Sequence, residues 1–189
     1  MFVTVGMVLL TLFLLGASFF SLSYSYARSQ QDDELAAQAR VVGQLSVNYL
    51  ESGRYMDMEE LQSDEDFQRL ATFAATVSEV DFLICDVEGH VLLSTDAALS
   101  GLVVTMPADM TEEVLRRGIT SDRTDIDGLY ENRRIVVGVP AMNENSQEAV
   151  GLVFAVSATT SLDTMWTGFV GLFFMTAFVV LMISFMASS

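Results

Sequence analysis

Lysine is absent from this 189-residue chain, and cysteine, histidine and tryptophan occur once each, at Cys85, His90 and Trp166. One cysteine excludes an intrachain disulfide, so any folded domain must be held by its own core. One cysteine and one histidine also leave a zinc site short of its usual four ligands. Charge is missing from both ends: no charged side chain precedes Arg28 and none follows Asp163. All nine arginines and all 25 acidic residues fall between those limits, for a formal net charge of −16. So acidic a surface excludes binding to nucleic acid phosphates, which demand a basic face. It also excludes a polybasic hold on anionic lipid.

What the ends have instead is hydrocarbon. Residues 2–22 read FVTVGMVLLTLFLLGASFFSL, with thirteen Leu, Val or Phe. Residues 165–186 read MWTGFVGLFFMTAFVVLMISFM. Each reaches the ~20 residues that a helix needs to cross ~30 Å of bilayer core. Two spanning helices are expected, at 2–24 and 164–187, with a domain at 28–163 between them. A cleavable signal peptide is the rival reading of the first, since Ser25-Tyr26-Ala27 is a small-x-small triplet. Against it stand an apolar core longer than the usual ~7–15 residues and the lack of a basic n-region.

Within the acidic domain, Leu35, Ala39, Val42, Leu45 and Tyr49 recur at helical spacing, and no Gly or Pro separates Ser18 from Val42. The first helix is therefore expected to run out of the apolar segment unbroken and to stop at Ser52-Gly53. Ser63 with Asp66 forms a variant capping box ahead of a second helix, whose buried stripe is Phe67, Leu70, Ala74 and Val77. The period then changes from 3.6 to 2. Phe82–Asp86 and His90–Thr95 are expected as strands about a Val87-Glu88-Gly89 hairpin loop. Pro107–Arg117 reads as a short helix with Gly118 as its stop. Strands are expected at Ile119–Ile126, Arg134–Ala141 and Ala149–Ser157, with a turn at Asp127-Gly128. On the last strand, Gly151, Val153, Ala155 and Ser157 make a face small enough for a helix or ligand to approach. The fold class is α+β: five mostly antiparallel strands packed by helices.

Taken together, a span entering a long helix, the DVEGHVLLST hairpin, GLYENRRIVVGVPAMNENSQEAVGLVFAVS and a second span resemble the extracytoplasmic PAS-like (single Cache) sensor region of bacterial transmembrane sensor histidine kinases. The resemblance implies a homodimer in the bacterial cell membrane, two-pass, with residues 28–163 outside the cytoplasm. It implies that a HAMP linker and kinase domains would follow in a longer protein, acting there on a cognate response regulator. The same input module serves chemoreceptors and membrane-bound cyclases. A tethered binding protein with no output domain is the distant alternative. Residues 1–189 carry no catalytic motif and call for no cofactor.

Two clusters hold the candidate sites. In the expected hairpin register Asp86 faces His90, Cys85 pairs with Val91, and Leu83 pairs with Leu93. Cys85 and His90 then lie on opposite faces, which denies the thiol a base. Asp86 and His90 become a candidate pH-sensitive pair, set against an exposed histidine with no role. Tyr130, Arg133 and Arg134 form the second cluster. Members of the family that it resembles commonly bind small organic anions, and arginine forks suit carboxylates. The bland alternative is a solvated turn, with ion pairs to Asp125, Asp127 or Glu131. Ala17, Ser21 and Ser25, four residues apart, are a candidate seam for close helix contact.

Overall fold

The computed structural model describes residues 2–52, 57–99, 101–143 and 146–158, with five further positions between 171 and 182. The expected second span and Gly53 lie outside these residues, apart from those five. Helix α1, Phe2–Glu51, runs for 50 residues without interruption, or about 75 Å at ~1.5 Å per residue. Its N-terminal half shows large apolar side chains on several sides: Leu15, Phe19, Leu22 and Tyr26 are each about 70% or more exposed. Its C-terminal half buries Leu35, Ala36, Ala39, Val42 and Val47. Among the residues whose side chains are described, no helix is long and apolar enough to cross a membrane. Most side chains of the first ten residues fall outside that set.

Two helices follow. Helix α2, Met58–Leu61, is capped by Asp57, whose carboxylate accepts the Glu60 N–H. Helix α3, Glu65–Ser78, is capped by Asp64, which accepts the Phe67 N–H at 2.8 Å. The cap is thus Asp64 and not Ser63, because α2 and its turn occupy the chain up to Ser63. The apolar stripe of α3 shifts with it. Phe67 and Ala71 are buried, while Val77 is 67% exposed.

Five strands follow: β1 Asp81–Cys85, β2 Val91–Ser94, β3 Thr120–Thr124, β4 Arg134–Met142 and β5 Ala149–Ala158. Helix α4, Ala108–Arg117, precedes β3 and ends on Gly118 at φ 75. All neighbouring strands are antiparallel, in the order β2-β1-β5-β4-β3. Both faces of β4 and β5 are covered, so these strands read as nearly continuous apolar runs. On one face, Phe82, Ile84, Val137, Val139, Val153 and Ala155 pack under α1, α2 and α3. Gly43 of α1 comes down over Ala141 and Val153, so the small-residue face of β5 takes a helix. On the other face, Leu83, Cys85, Val136, Leu152, Phe154 and Val156 pack with Met110 and Val114 of α4. Pro140 sits on β4 beyond the last β3 pairing, at Gly138, so β3 asks no bond of its missing N–H.

The first hairpin differs from the expected register. Cys85 pairs with Val91 as expected, but the ladder shifts between Ile84 and Cys85. Ile84 then pairs with Leu93, and Leu83 with Ser94 rather than Leu93. Leu92 is the extra residue, a bulge that turns Leu93 to the helix-covered face. The register past the bulge continues through two bonds. Phe82 N–H donates to Thr95 Oγ1 at 2.8 Å, and Thr95 N–H to the Phe82 carbonyl at 3.0 Å.

Candidate functional site

The hairpin tip carries the first candidate pair. Asp86 Oδ1 accepts the N–H groups of Glu88 and His90, each at 2.9 Å, an Asx-type turn that fixes the loop. Asp86 Oδ2 meets His90 Nδ1 at 2.8 Å. Partial burial works against the Asp86 carboxylate, yet the hydrogen bonds and charge of His90 hold its pKa below the usual 3.8. The bond from Asp86 and its charge raise His90 above the usual 6.5, with Glu88 adding to the effect. The tip is anchored, since Gly89 is buried and its carbonyl accepts the Met106 N–H at 2.8 Å. Cys85 is fully buried on the α4 side of the sheet, away from α1 and α3. Burial, then the charge of Asp86, pushes its thiol pKa far up. A thiol held protonated in an apolar core is a packing group.

The second candidate cluster is built differently from its local sequence. Arg134 opens β4 and lays its guanidinium over the Tyr130 ring, 4.1 Å from the centroid. Arg133, one residue earlier, is exposed. The ionic partners of Arg134 are not Asp125, Asp127 or Glu131. They are Asp81 at 3.5 Å and Asp96 at 3.8 Å, from β1 and from the segment after β2. These two acids were missed because they lie far from Arg134 in sequence. The signal lay in the hairpin: once the bulge is admitted, the Phe82–Thr95 bonds set Asp96 across from Asp81.

Like charges directly opposite on a sheet repel. Burial, and next the charge of Asp96, raise the pKa of Asp81, and Arg134 only partly offsets them. Tyr130 is 7% exposed, and burial followed by the Asp96 charge drives its pKa far up. Tyr130 Oη and Asp96 Oδ2 are both buried, and neither completes a hydrogen bond of good geometry. The cluster therefore holds two carboxylates against one guanidinium. That balance gives an incoming carboxylate ligand little to bind, since Arg134 already has two. Three surface grooves, on α3, on α4 and at the α2–α3 turn, lie elsewhere. Among the described residues no group of three or more His, Cys, Asp or Glu is arranged to hold a metal ion.

No family model matches the chain, and no curated protein matches it. Among solved structures, the chain is similar to the sensor domain of the V. cholerae histidine kinase DctB. That match has a TM-score of 0.52 and 12% identity, and covers 78% of this chain and 55% of the other. A weaker likeness, TM-score 0.37 and 16% identity, is to the cofactor-binding GAF domain of the nutrient sensor CodY from Clostridium difficile, over 60% of this chain and 81% of that one. What the first likeness shows is the fold: a long N-terminal helix laid on a five-stranded antiparallel sheet, as in the sensor domain of a histidine kinase.

Proposed function

We propose that this chain is the signal-sensing and transmembrane input module of a bacterial sensor histidine kinase. The observation that carries this reading is the continuity of α1. One unbroken helix joins an apolar segment to the buried face of a sensor-type sheet. At the other end β5, a central strand of that sheet, leads toward the second apolar segment at 165–186. A domain held between two such connections is placed to turn a stimulus into a small shift of one helix against another.

In this reading residues 2–24 and 164–187 span the membrane, and residues 28–163 face away from the cytoplasm. The chain pairs with a second copy. Ala17, Ser21 and Ser25 are exposed along α1 and support a close helix seam there. The output, phosphotransfer to a response regulator, belongs to kinase domains beyond residue 189. The pair Asp86–His90 and the cluster Tyr130–Arg134 are the candidate points at which a stimulus acts. Arg133 is the weakest of the proposed ligand contacts, being exposed beside a guanidinium already paired.

Fusing residues 1–189 in place of the input region of a characterised histidine kinase tests the reading. The junction would be varied over one helical turn. At least one phase should give a kinase whose autophosphorylation changes with conditions applied outside the membrane. Output that ignores those conditions in every phase, with the fusion inserted and folded, sinks it. A chemoreceptor origin would show instead as response only when the module is joined to a long cytoplasmic coiled coil.

A further inference from the structure

The Asp81–Asp96–Tyr130–Arg134 cluster offers an anionic ligand little, and its walls suit the opposite charge. Two carboxylates and the face of a tyrosine ring surround one guanidinium. An aromatic face attracts a cation laid over it, and carboxylates beside it add to the attraction. The walls come from three elements: Asp81 from β1, Asp96 from the segment after β2, and Tyr130 from the loop into β4. Each is held by its own backbone. Asp81 pairs with Val156 on the ladder. Asp96 Oδ1 accepts the Ala98 N–H at 2.9 Å, and the Asp96 N–H donates to Ser94 Oγ at 3.1 Å. The Tyr130 N–H donates to the Asp125 carbonyl at 3.0 Å, across a turn in which Ile126, Asp127 and Gly128 all take positive φ.

The occupant is held less well than the walls. Arg134 Nη1 stands 3.5 Å from Asp81 Oδ2 and 3.8 Å from Asp96 Oδ2, both beyond the ~2.7–2.9 Å of a close charge-assisted bond. Its side chain is 30% exposed. Two acceptors beside it go unfilled. Asp96, with 12% of its side chain exposed, has Oδ2 buried without a hydrogen-bond donor. Tyr130, 7% exposed, has its hydroxyl near enough to Asp96 to feel the charge, yet it too completes no hydrogen bond. Buried polar groups without partners are uncommon, and these two lack a donor. The guanidinium over the ring does not supply it. A primary ammonium is more compact and carries three donors, one each for Asp81 Oδ2, Asp96 Oδ2 and Tyr130 Oη.

We propose that Asp81, Asp96 and Tyr130 form a binding site for a small primary ammonium compound, and that Arg134 is a tethered stand-in that swings into solvent when the ligand enters. The space the ligand takes is the space the guanidinium leaves, so no open groove is needed beforehand. The exchange replaces one cation by another and leaves the charge within the walls unchanged. What favours the ligand is the pair of buried acceptors that it satisfies and Arg134 does not. The site lies at the end of the sheet where Arg134 pairs with Ala158, the last residue of β5. Occupancy therefore acts beside the exit toward the 165–186 segment. That consequence for signalling rests on the sensing role proposed above, but the binding does not.

The test uses the full chain in lipid nanodiscs, with carbon-13 label in the tyrosine rings and the Tyr130 signal assigned through Tyr130→Phe. Ethylammonium chloride is the probe, set against sodium chloride and tetramethylammonium chloride at equal ionic strength. In the wild type ethylammonium should shift the Tyr130 ring signal saturably. Tetramethylammonium should not, because it brings charge without an N–H donor. Arg134→Ala removes the internal competitor and should bind ethylammonium about tenfold more tightly. Asp96→Asn should lose the response. A wild-type Tyr130 signal that ethylammonium moves no further than sodium chloride does overturns the proposal, and no variant needs to fold for that outcome. An equal response to tetramethylammonium, or an affinity in Arg134→Ala no better than in the wild type, overturns it as well. A kinase fusion that fails to respond would count against the sensing role and leave the titration untouched.

Discussion

His90 is the residue at which a pH response is easiest to separate from everything else. Its partner Asp86 fixes the hairpin tip through two backbone bonds and the imidazole through one. The folded state raises the histidine pKa, so its stabilisation is complete below the unfolded value of 6.5 and is lost as pH rises through the folded value. The folded state lowers Asp86, so that contribution is present above 3.8 and is lost as pH falls through the depressed value. His90→Gln should flatten the decline of melting temperature above pH 6.5 and shrink the acid limb to the part held by the backbone N–H groups, since the imidazole's bond and charge help to lower Asp86. A variant that keeps the wild-type slope on the alkaline side would show that the pair contributes nothing there. Asp86→Ala should cost more than the histidine change, because two backbone N–H groups lose their acceptor. About 1 kcal/mol for each such bond is the expected scale, read by urea denaturation. Cys85, buried without exposure, should resist maleimide in the native protein and react at the rate of global unfolding. Fast labelling in native buffer would mean that the β1–β5 core opens locally.

Among the elements, the tightest packing is where the central strands meet their two layers of helix. A Cβ at Gly138 would run into the Phe154 ring and stand 2.8 Å from Val114 Cγ2 of α4. Phe154 is fully buried and has no room to withdraw. Gly138→Ala should therefore destabilise by overpacking, about 1–3 kcal/mol. Gly118 offers a contrast. It closes α4 at φ 75 with nothing within 4 Å of an added Cβ. Gly118→Ala should cost only the left-handed backbone penalty, roughly 1–2 kcal/mol. A Gly118→Ala loss well beyond ~2 kcal/mol, measured by chemical denaturation, would contradict a purely backbone cost there. The same elements mark how far the sequence was legible. Periodicity located α1, α4, β4 and β5 within a residue or two, because each is a long run with one dominant period. Helix α2 was too short to show a period. The cap of α3 moved to Asp64 for that reason. The β1–β2 register was half right: the Asx turn at Asp86 is written locally, whereas the Leu92 bulge is decided by which side chains fill the two cores. The cluster around Arg134 was half legible for the same cause. Tyr130 and Arg134 are near neighbours in sequence, but Asp81 and Asp96 meet only through that bulge.

At the scale of the whole molecule the central question is whether the two halves of α1 act as one rod. The outer half is exposed and apolar on several sides, and the inner half is locked to the sheet by Ala36, Ala39 and Val42. Between them Arg28, Ser29 and Gln30 are exposed. The helix there persists through its own backbone hydrogen bonds. Proline removes one such bond and clashes with the preceding turn, at about 3 kcal/mol in a helix interior. Ser29→Pro should therefore leave the melting of the sheet nearly unchanged, since no core residue is touched. It should uncouple the halves, so that spin labels at Leu22 and Val41, both exposed on α1, give a broadened distance distribution in place of a narrow one. In a responsive kinase fusion the same variant should abolish the response while retaining insertion and folding. If the distribution stays narrow and the response survives, the signal does not travel along α1. The exit of β5 toward 165–186 would then be the route left to examine.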